Sequence, residues 1–210
     1  MDVFDAIRGR RSHRAFEQKS VEPEKVDLIL EAAQWAPSPA NSQPWEFIVI
    51  TGKAPRSRIA SISEEAGRTG SIEIHGYSYV RPAPYASDDT SADELSHETS
   101  RYSLAFLESV PVMIAVVGNP DTVVQQSSAR KSREGYKYAC AAAIQNMLLA
   151  AQAQGLGSLW FTYFDAGALS RFLNVPEDKH LIALVCVGYP GSTPQSPGRS
   201  SLKQKVRRMD

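Results

Sequence analysis

Arg8-Gly9-Arg10-Arg11-Ser12-His13-Arg14 places four arginines and a histidine within seven residues at the start of the chain. Arginine offers a planar fork that makes two parallel charge-assisted hydrogen bonds, and it stays protonated at any working pH. A run this dense faces solvent, meets a nucleic acid or holds one phosphorylated ligand. The rest of the chain decides between these. Its 210 residues carry 23 Lys plus Arg against 23 Asp plus Glu, so the formal net charge is zero. Nucleic-acid binders carry a basic surplus over a broad face, and no such surplus exists here.

The two cysteines, Cys140 and Cys186, lie in separate apolar runs and form no CxxC or metal-ligand spacing. Two thiols of this kind suit a reducing compartment and give no disulfide framework. The apolar runs near 110–117 and 181–187 are too short to span a bilayer. The expectation is a cytoplasmic protein that contacts neither membrane nor nucleic acid. The histidines are scattered, and no metal site is expected. No G-x-G-x-x-G, Walker loop or G-x-S-x-G elbow occurs.

Around the basic run the periodicity is clear. Asp2 caps a helix over residues 2–8 with Val3, Phe4 and Ile7 on one face. Pro23 starts a second helix carrying Val26, Ile29, Leu30 and Ala33, and Pro37 lies beyond its end. Strands are expected at Trp45–Ile50, Val112–Val117, Ser158–Tyr163 and Leu181–Val187. Helices are expected at 55–66, 101–109 and 134–154, the last closed by Gly155, and from an Asp165 cap to Leu173. Residues 67–100 lose apolar periodicity and read as a variable, lid-like region. From about 189 to 210 the chain reads as a Pro/Ser/Gly-rich, then basic, arm. Nothing divides the chain, so residues 1–210 are expected to form one domain.

Between the second helix and first strand lies Pro37-Ser38-Pro39-Ala40-Asn41-Ser42-Gln43-Pro44. Its prolines fix φ, and its Asn and Gln amides offer both donors and acceptors, which suits a planar heterocycle with alternating carbonyl and NH groups. Plain turn chemistry accounts for the same residues equally well.

Four segments together resemble the FMN-dependent nitroreductase family. Arg10-Arg11-Ser12-His13-Arg14-Ala15-Phe16 is similar to that family's R-R-S-x-R-x-F opening. Ala36-Pro37-Ser38-Pro39-Ala40-Asn41-Ser42-Gln43-Pro44-Trp45 is similar to its A-P-S-x-x-N-x-Q-P-W segment. Ala142-Ala143-Ile144-Gln145-Asn146-Met147-Leu148-Leu149-Ala150-Ala151, followed by Gly155-Leu156-Gly157, is the third match. Val187-Gly188-Tyr189-Pro190 with Arg199-Ser200-Ser201-Leu202 is the fourth, although the family often has R-x-P-L where this chain has Arg199-Ser200-Ser201-Leu202.

The resemblance implies an α+β, nitroreductase-like α-β-α sandwich with a central mixed, mainly antiparallel sheet, in a domain-intertwined homodimer with FMN at the subunit interface. It implies that Arg10, Arg11, Ser12, Arg14 and Arg199 hold the phosphate and pyrimidine edge of the flavin. Pro37, Ser38 and Asn41 would come from the partner subunit with Gln43 nearby, and Trp160, Phe161 and Thr162 would lie along the ring. It implies an NADH- or NADPH-driven ping-pong oxidoreductase acting on a small electrophile (a nitroaromatic, quinone or enone). No amino acid is then needed as a catalytic group, because the chemistry sits at flavin N5. Other members remove iodide from tyrosines or break the flavin down to dimethylbenzimidazole. A protein that binds flavin without turnover is the reading from outside enzyme chemistry.

Overall fold

The computed structural model describes residues 1–69, 73–74, 77–78, 104, 106–122, 134–196 and 198–209. The helices are α1 (Val3–Gly9), α2 (Pro23–Gln34), α3 (Lys53–Thr69), α4 (Phe106–Ser109), α5 (Gly135–Ala153) and α6 (Ala166–Phe172). The strands are β1 (Trp45–Ile50), β2 (Glu73–Ile74), β3 (Tyr77–Ser78), β4 (Val112–Gly118), β5 (Gly157–Phe161) and β6 (His180–Gly188). Local chemistry sets the ends. The Asp2 carboxylate accepts the Asp5 N–H at 2.9 Å, and Asp165 accepts the Ala168 N–H at 2.8 Å. Gly155, at φ 75°, takes the left-handed position that ends α5, where a side chain would be strained.

The central sheet runs β1-β4-β6-β5, and every pair is antiparallel. β4 and β6 occupy its middle, and both are apolar almost throughout because helices cover both faces. Val112, Ile114 and Val116 point to the layer of α2 and α5, while Met113, Ala115 and Val117 point to that of α3, α4 and α6. A register shift at Val116/Val117 turns Ile182 and Ala183 toward the same layer. α5 crosses one face of the sheet and buries Ile144, Met147 and Leu148 against it. Full burial of each such side chain stabilises the fold by about 1.5–3 kcal/mol.

This is the expected α-β-α sandwich of the α+β class. Its sheet is antiparallel rather than mixed, and the parallel contribution shrinks to one isolated bridge, Ser12 to Ser158. The third helix is longer than expected at both ends, so residues 67–69 belong to it. Most of the lid-like 70–100 region lies outside the described residues, apart from the short β2–β3 hairpin. The largest departure is α1. Val3, Phe4 and Ile7 face outward at 58%, 62% and 50% exposure, and only Ala6 is buried.

Candidate functional site

The opening motif docks along the free edge of β5. Ser12 bridges to Ser158 in parallel, and the His13 N–H donates to the Ser158 carbonyl at 3.0 Å. Further on, Phe16 bridges to Pro190, the Glu17 N–H reaches the Tyr189 carbonyl at 2.9 Å, and the Gly191 N–H reaches the Ala15 carbonyl at 2.9 Å. The motif is thereby clamped between β5 and the chain leaving β6.

This clamp gathers positive charge. Arg10 and Arg11 are half-buried at the start of the motif, and Ser12 and Arg14 are exposed. The Arg10 guanidinium is held below its ordinary pKa, first by burial, then by Arg199 and then by Arg11. Arg199 therefore stands in the same electrostatic environment as Arg10, although it comes from the opposite end of the chain. Arg11 donates to the carbonyls of Arg8 and Arg10 at 2.6 and 2.9 Å, and Arg199 donates to the Gly198 carbonyl at 2.7 Å. Among the described residues no carboxylate pairs with Arg10, Arg11, Arg14 or Arg199. Like charges gathered without a counter-ion raise the free energy of the bare protein and are relieved by an anion.

β5 continues from this cluster. The carbonyl of Ser158 points off its free edge, so the two-residue alternation of a strand aims the N–H and C=O of Trp160 off the same edge. Trp160 is also the exposed side chain of the strand, at 37%. The Phe161 side chain lies in the core instead, edge-on to Phe106 at 6.2 Å and beside Phe164 at 6.1 Å. Thr162 falls just beyond the strand and accepts the Phe164 N–H at 3.2 Å. The Ser158 hydroxyl is buried without a hydrogen-bond partner.

The loop before β1 is a second polar centre. Ala40, Asn41 and Gln43 take φ values of 51°, 53° and 44°, an unusual density of left-handed non-glycine residues. The Ser38 hydroxyl accepts the Gln43 N–H at 3.0 Å, and the Ser38 carbonyl accepts the Asn41 N–H at 3.0 Å. Pro37 and Asn41 are exposed, and the Ser42 hydroxyl is the other buried orphan of the described residues. Strain of this kind persists only where the surroundings impose it, and it concentrates at ligand sites.

Within one chain these two centres are far apart. The loop enters the sheet at Trp45, which lies across Gly118 from His180, where β6 begins. The basic motif pairs at Ser158, which lies across from Val187, where β6 ends. The centres thus occupy diagonal corners of the sheet, three strand spacings and seven residues of strand apart, on the order of 25–30 Å.

His13 and Ser158 are the site-forming residues that sequence reasoning left without a role. Gly157 carried the signal: a Cβ there would fall 2.8 Å from the His13 ring, so only glycine lets the motif lie this close. Both cysteines are buried, and burial pushes each thiol up to about 12, which leaves them inert at neutral pH. Among the described residues no three metal-ligating side chains converge, and no helix is long and apolar enough to cross a membrane.

The chain is similar to known proteins over nearly its whole length. The nitroreductase family model matches residues 7–189, a span that holds the opening motif and the strained loop and ends before Arg199. The 5,6-dimethylbenzimidazole synthase of Rhodospirillum rubrum is 28% identical over 209 residues, covering 99% of this chain and 91% of that one. The nitrobenzene nitroreductase of Ectopseudomonas oleovorans is 30% identical over 199 residues, covering 89% and 86%. A Desulfovibrio desulfuricans protein solved in complex with FMN superposes with a TM-score of 0.70 at 26% identity, covering 100% and 98%. With the basic motif, the strained loop and the sandwich all inside the matched span, the chain belongs to the nitroreductase family.

Proposed function

We propose that the chain is an FMN-dependent oxidoreductase that takes electrons from NADH or NADPH and delivers them to a small electrophile such as a nitroaromatic, quinone or enone. The observation that carries this reading is the docking of the arginine motif on the open edge of β5, with Arg199 near enough to act on the charge of Arg10 and no carboxylate among the described residues to neutralise them. The fit is chemical. A phosphate takes the guanidinium groups of Arg10, Arg14 and Arg199, and the hydroxyl of Ser12 adds a donor. The outward-facing N–H of Trp160 supplies a backbone donor along the same edge, and its exposed indole supplies a surface for a flat ring. FMN, when bound, accepts and returns electron pairs, so the side chains bind and orient rather than react.

A second copy of the chain completes the site in this reading. The loop of Pro37, Ser38, Asn41 and Gln43 lies diagonally opposite the basic motif, so one ligand touches both only if the loop comes from a partner. Val3, Phe4 and Ile7 on α1, Trp35 after α2 and Tyr138 on α5 are large apolar groups left in water by a single chain, with Trp35 81% and Tyr138 73% exposed. Exposed apolar groups in this number mark an interaction surface.

The test is spectroscopic. Purified protein should retain FMN, NADH or NADPH should bleach its visible absorption under nitrogen, and a nitroaromatic or quinone should restore it. Protein that takes up no FMN, or holds FMN that neither nucleotide reduces, contradicts the proposal. The near full-length likeness to the R. rubrum synthase favours one alternative, breakdown of the flavin after reduction. In that case oxygen admitted to reduced protein would consume bound flavin and release dimethylbenzimidazole, where an oxidoreductase returns the flavin intact.

A further inference from the structure

His13 occupies the variable position of the opening motif, and the cofactor reading gives it no task. Yet it is 6% exposed, between exposed Ser12 and exposed Arg14. Its ring lies over Gly157, and its Nδ1 is 3.1 Å from the carbonyl oxygen of Ser192. A carbonyl only accepts, so Nδ1 carries the proton and donates. Burial is the main influence holding the imidazole below its ordinary pKa. The Ser192 bond opposes that shift, and Arg10 and Arg11 add to it.

Ser192 begins the arm that carries Arg199. Between them the sequence is Thr193-Pro194-Gln195-Ser196-Pro197-Gly198. Pro194 fixes φ at its own position, and Gly198 turns the chain at φ 72° immediately before Arg199. The Ser192 carbonyl therefore marks where the short connection to Arg199 leaves the body of the fold.

We propose that His13 is a positioning residue of the anion cradle: by donating to the Ser192 carbonyl it fixes the arm so that Arg199 stands beside Arg10, and it thereby sets affinity for the phosphate end of FMN and not for the flavin ring. The proposal rests on the FMN reading given above. It also assigns the glycine at 157 a purpose, since any side chain there would displace the imidazole from this bond.

Riboflavin, which lacks the phosphate, makes the test selective. Affinities for FMN and riboflavin would be measured by flavin fluorescence for the wild type, His13→Ala, His13→Phe, His13→Asn, Arg199→Ala and His13→Ala/Arg199→Ala. His13→Ala should weaken FMN binding by about tenfold, the loss of one hydrogen-bonded charge contact, and leave riboflavin within about twofold. His13→Phe keeps the ring but not the donor, and should behave alike if the alanine variant does not fold. His13→Asn places an N–H near the position of Nδ1 and should recover most of the loss. The double variant should be little worse than Arg199→Ala alone, because both changes remove the same contact.

Equal weakening of FMN and riboflavin would reduce His13 to a folding role and overturn the proposal. Additive losses, or a lack of recovery in His13→Asn, would do the same. Wild-type protein with no preference for FMN over riboflavin would overturn the cofactor reading and this inference together. A wild-type preference left unchanged in both His13→Ala and His13→Phe would overturn the positioning role alone.

Discussion

His13 and Gly157 are packed so closely that a Cβ atom on residue 157 would lie 2.8 Å from one ring atom of His13 and 3.1 Å from two more. The ring cannot retreat freely, because its Nδ1 is bonded to Ser192 and its backbone N–H to Ser158. Gly157→Ala should therefore destabilise the fold by about 1–3 kcal/mol, the usual range for overpacking. Thermal unfolding checks this, and His13→Ala in the same background should recover part of the loss. An alanine at 157 with unchanged Tm would mean that the motif shifts along β5 without cost.

The same histidine makes stability depend on pH. Its imidazole is held below its ordinary pKa in the folded protein, chiefly by burial, so the unfolded chain binds the proton more readily. Stability from this group is therefore complete above about pH 6.5, the ordinary value, and is lost as pH falls through that value toward the folded one. Urea unfolding between pH 7.5 and 5 should show falling stability, and His13→Asn should flatten this part of the slope. A wild-type profile that is level over the range, or identical to that of the variant, would contradict it.

Arg10→Ala separates the cost of gathering charge from its use. Arg10 is half-buried among Arg199 and Arg11 with no described acid beside it, so its removal should leave apo-protein stability unchanged or raised. FMN affinity should fall about ten- to a hundredfold, the worth of a charge-assisted contact of about 1.5–3 kcal/mol. Arg14→Ala, at an exposed position, should show the affinity loss without the gain in apo stability. Isothermal titration with FMN, beside unfolding of the apo-protein, reads both. Unchanged affinity in both variants would place the phosphate elsewhere.

The periodic parts of the sequence made the sandwich legible. β4 and β6 are continuous apolar runs because helices cover both their faces, and α5 has a buried stripe that ends at a left-handed glycine. The arginines and the strained loop were legible as chemistry, since their residue types and spacing are unusual. The role of His13 was not, because it depends on a carbonyl at Ser192 that no local pattern connects to it. The resemblance sets Trp160 and Phe161 on one strand along the ring; side-chain alternation sends Phe161 into the core and leaves Trp160 on the open side, which the motif alone does not tell apart. α1 misled in the opposite direction. Its apolar face was legible, but the sequence holds no sign that the face is left in water by its own chain.

That exposed face yields the last prediction. Phe4 on α1 and Tyr138 on α5 are 62% and 73% exposed, and α1 packs on α5, so both belong to one helical layer. If a second copy covers this layer, sedimentation should give the mass of two chains. Phe4→Glu and Tyr138→Glu should each shift the protein toward one chain, because a charge placed in an apolar contact is costly to desolvate. Phe4 meets Arg8 rather than Arg10 or Arg199, whereas α5 packs against the Pro39–Asn41 turn, so Phe4→Glu is the cleaner of the two variants. A loss of FMN that follows the loss of the second chain would therefore come from separating the loop from the basic motif. Variants that dissociate yet hold FMN with wild-type affinity would show that one chain binds the cofactor alone, and the diagonal separation of the two centres would then need another explanation. A wild type that sediments as one chain would remove the partner from the site altogether.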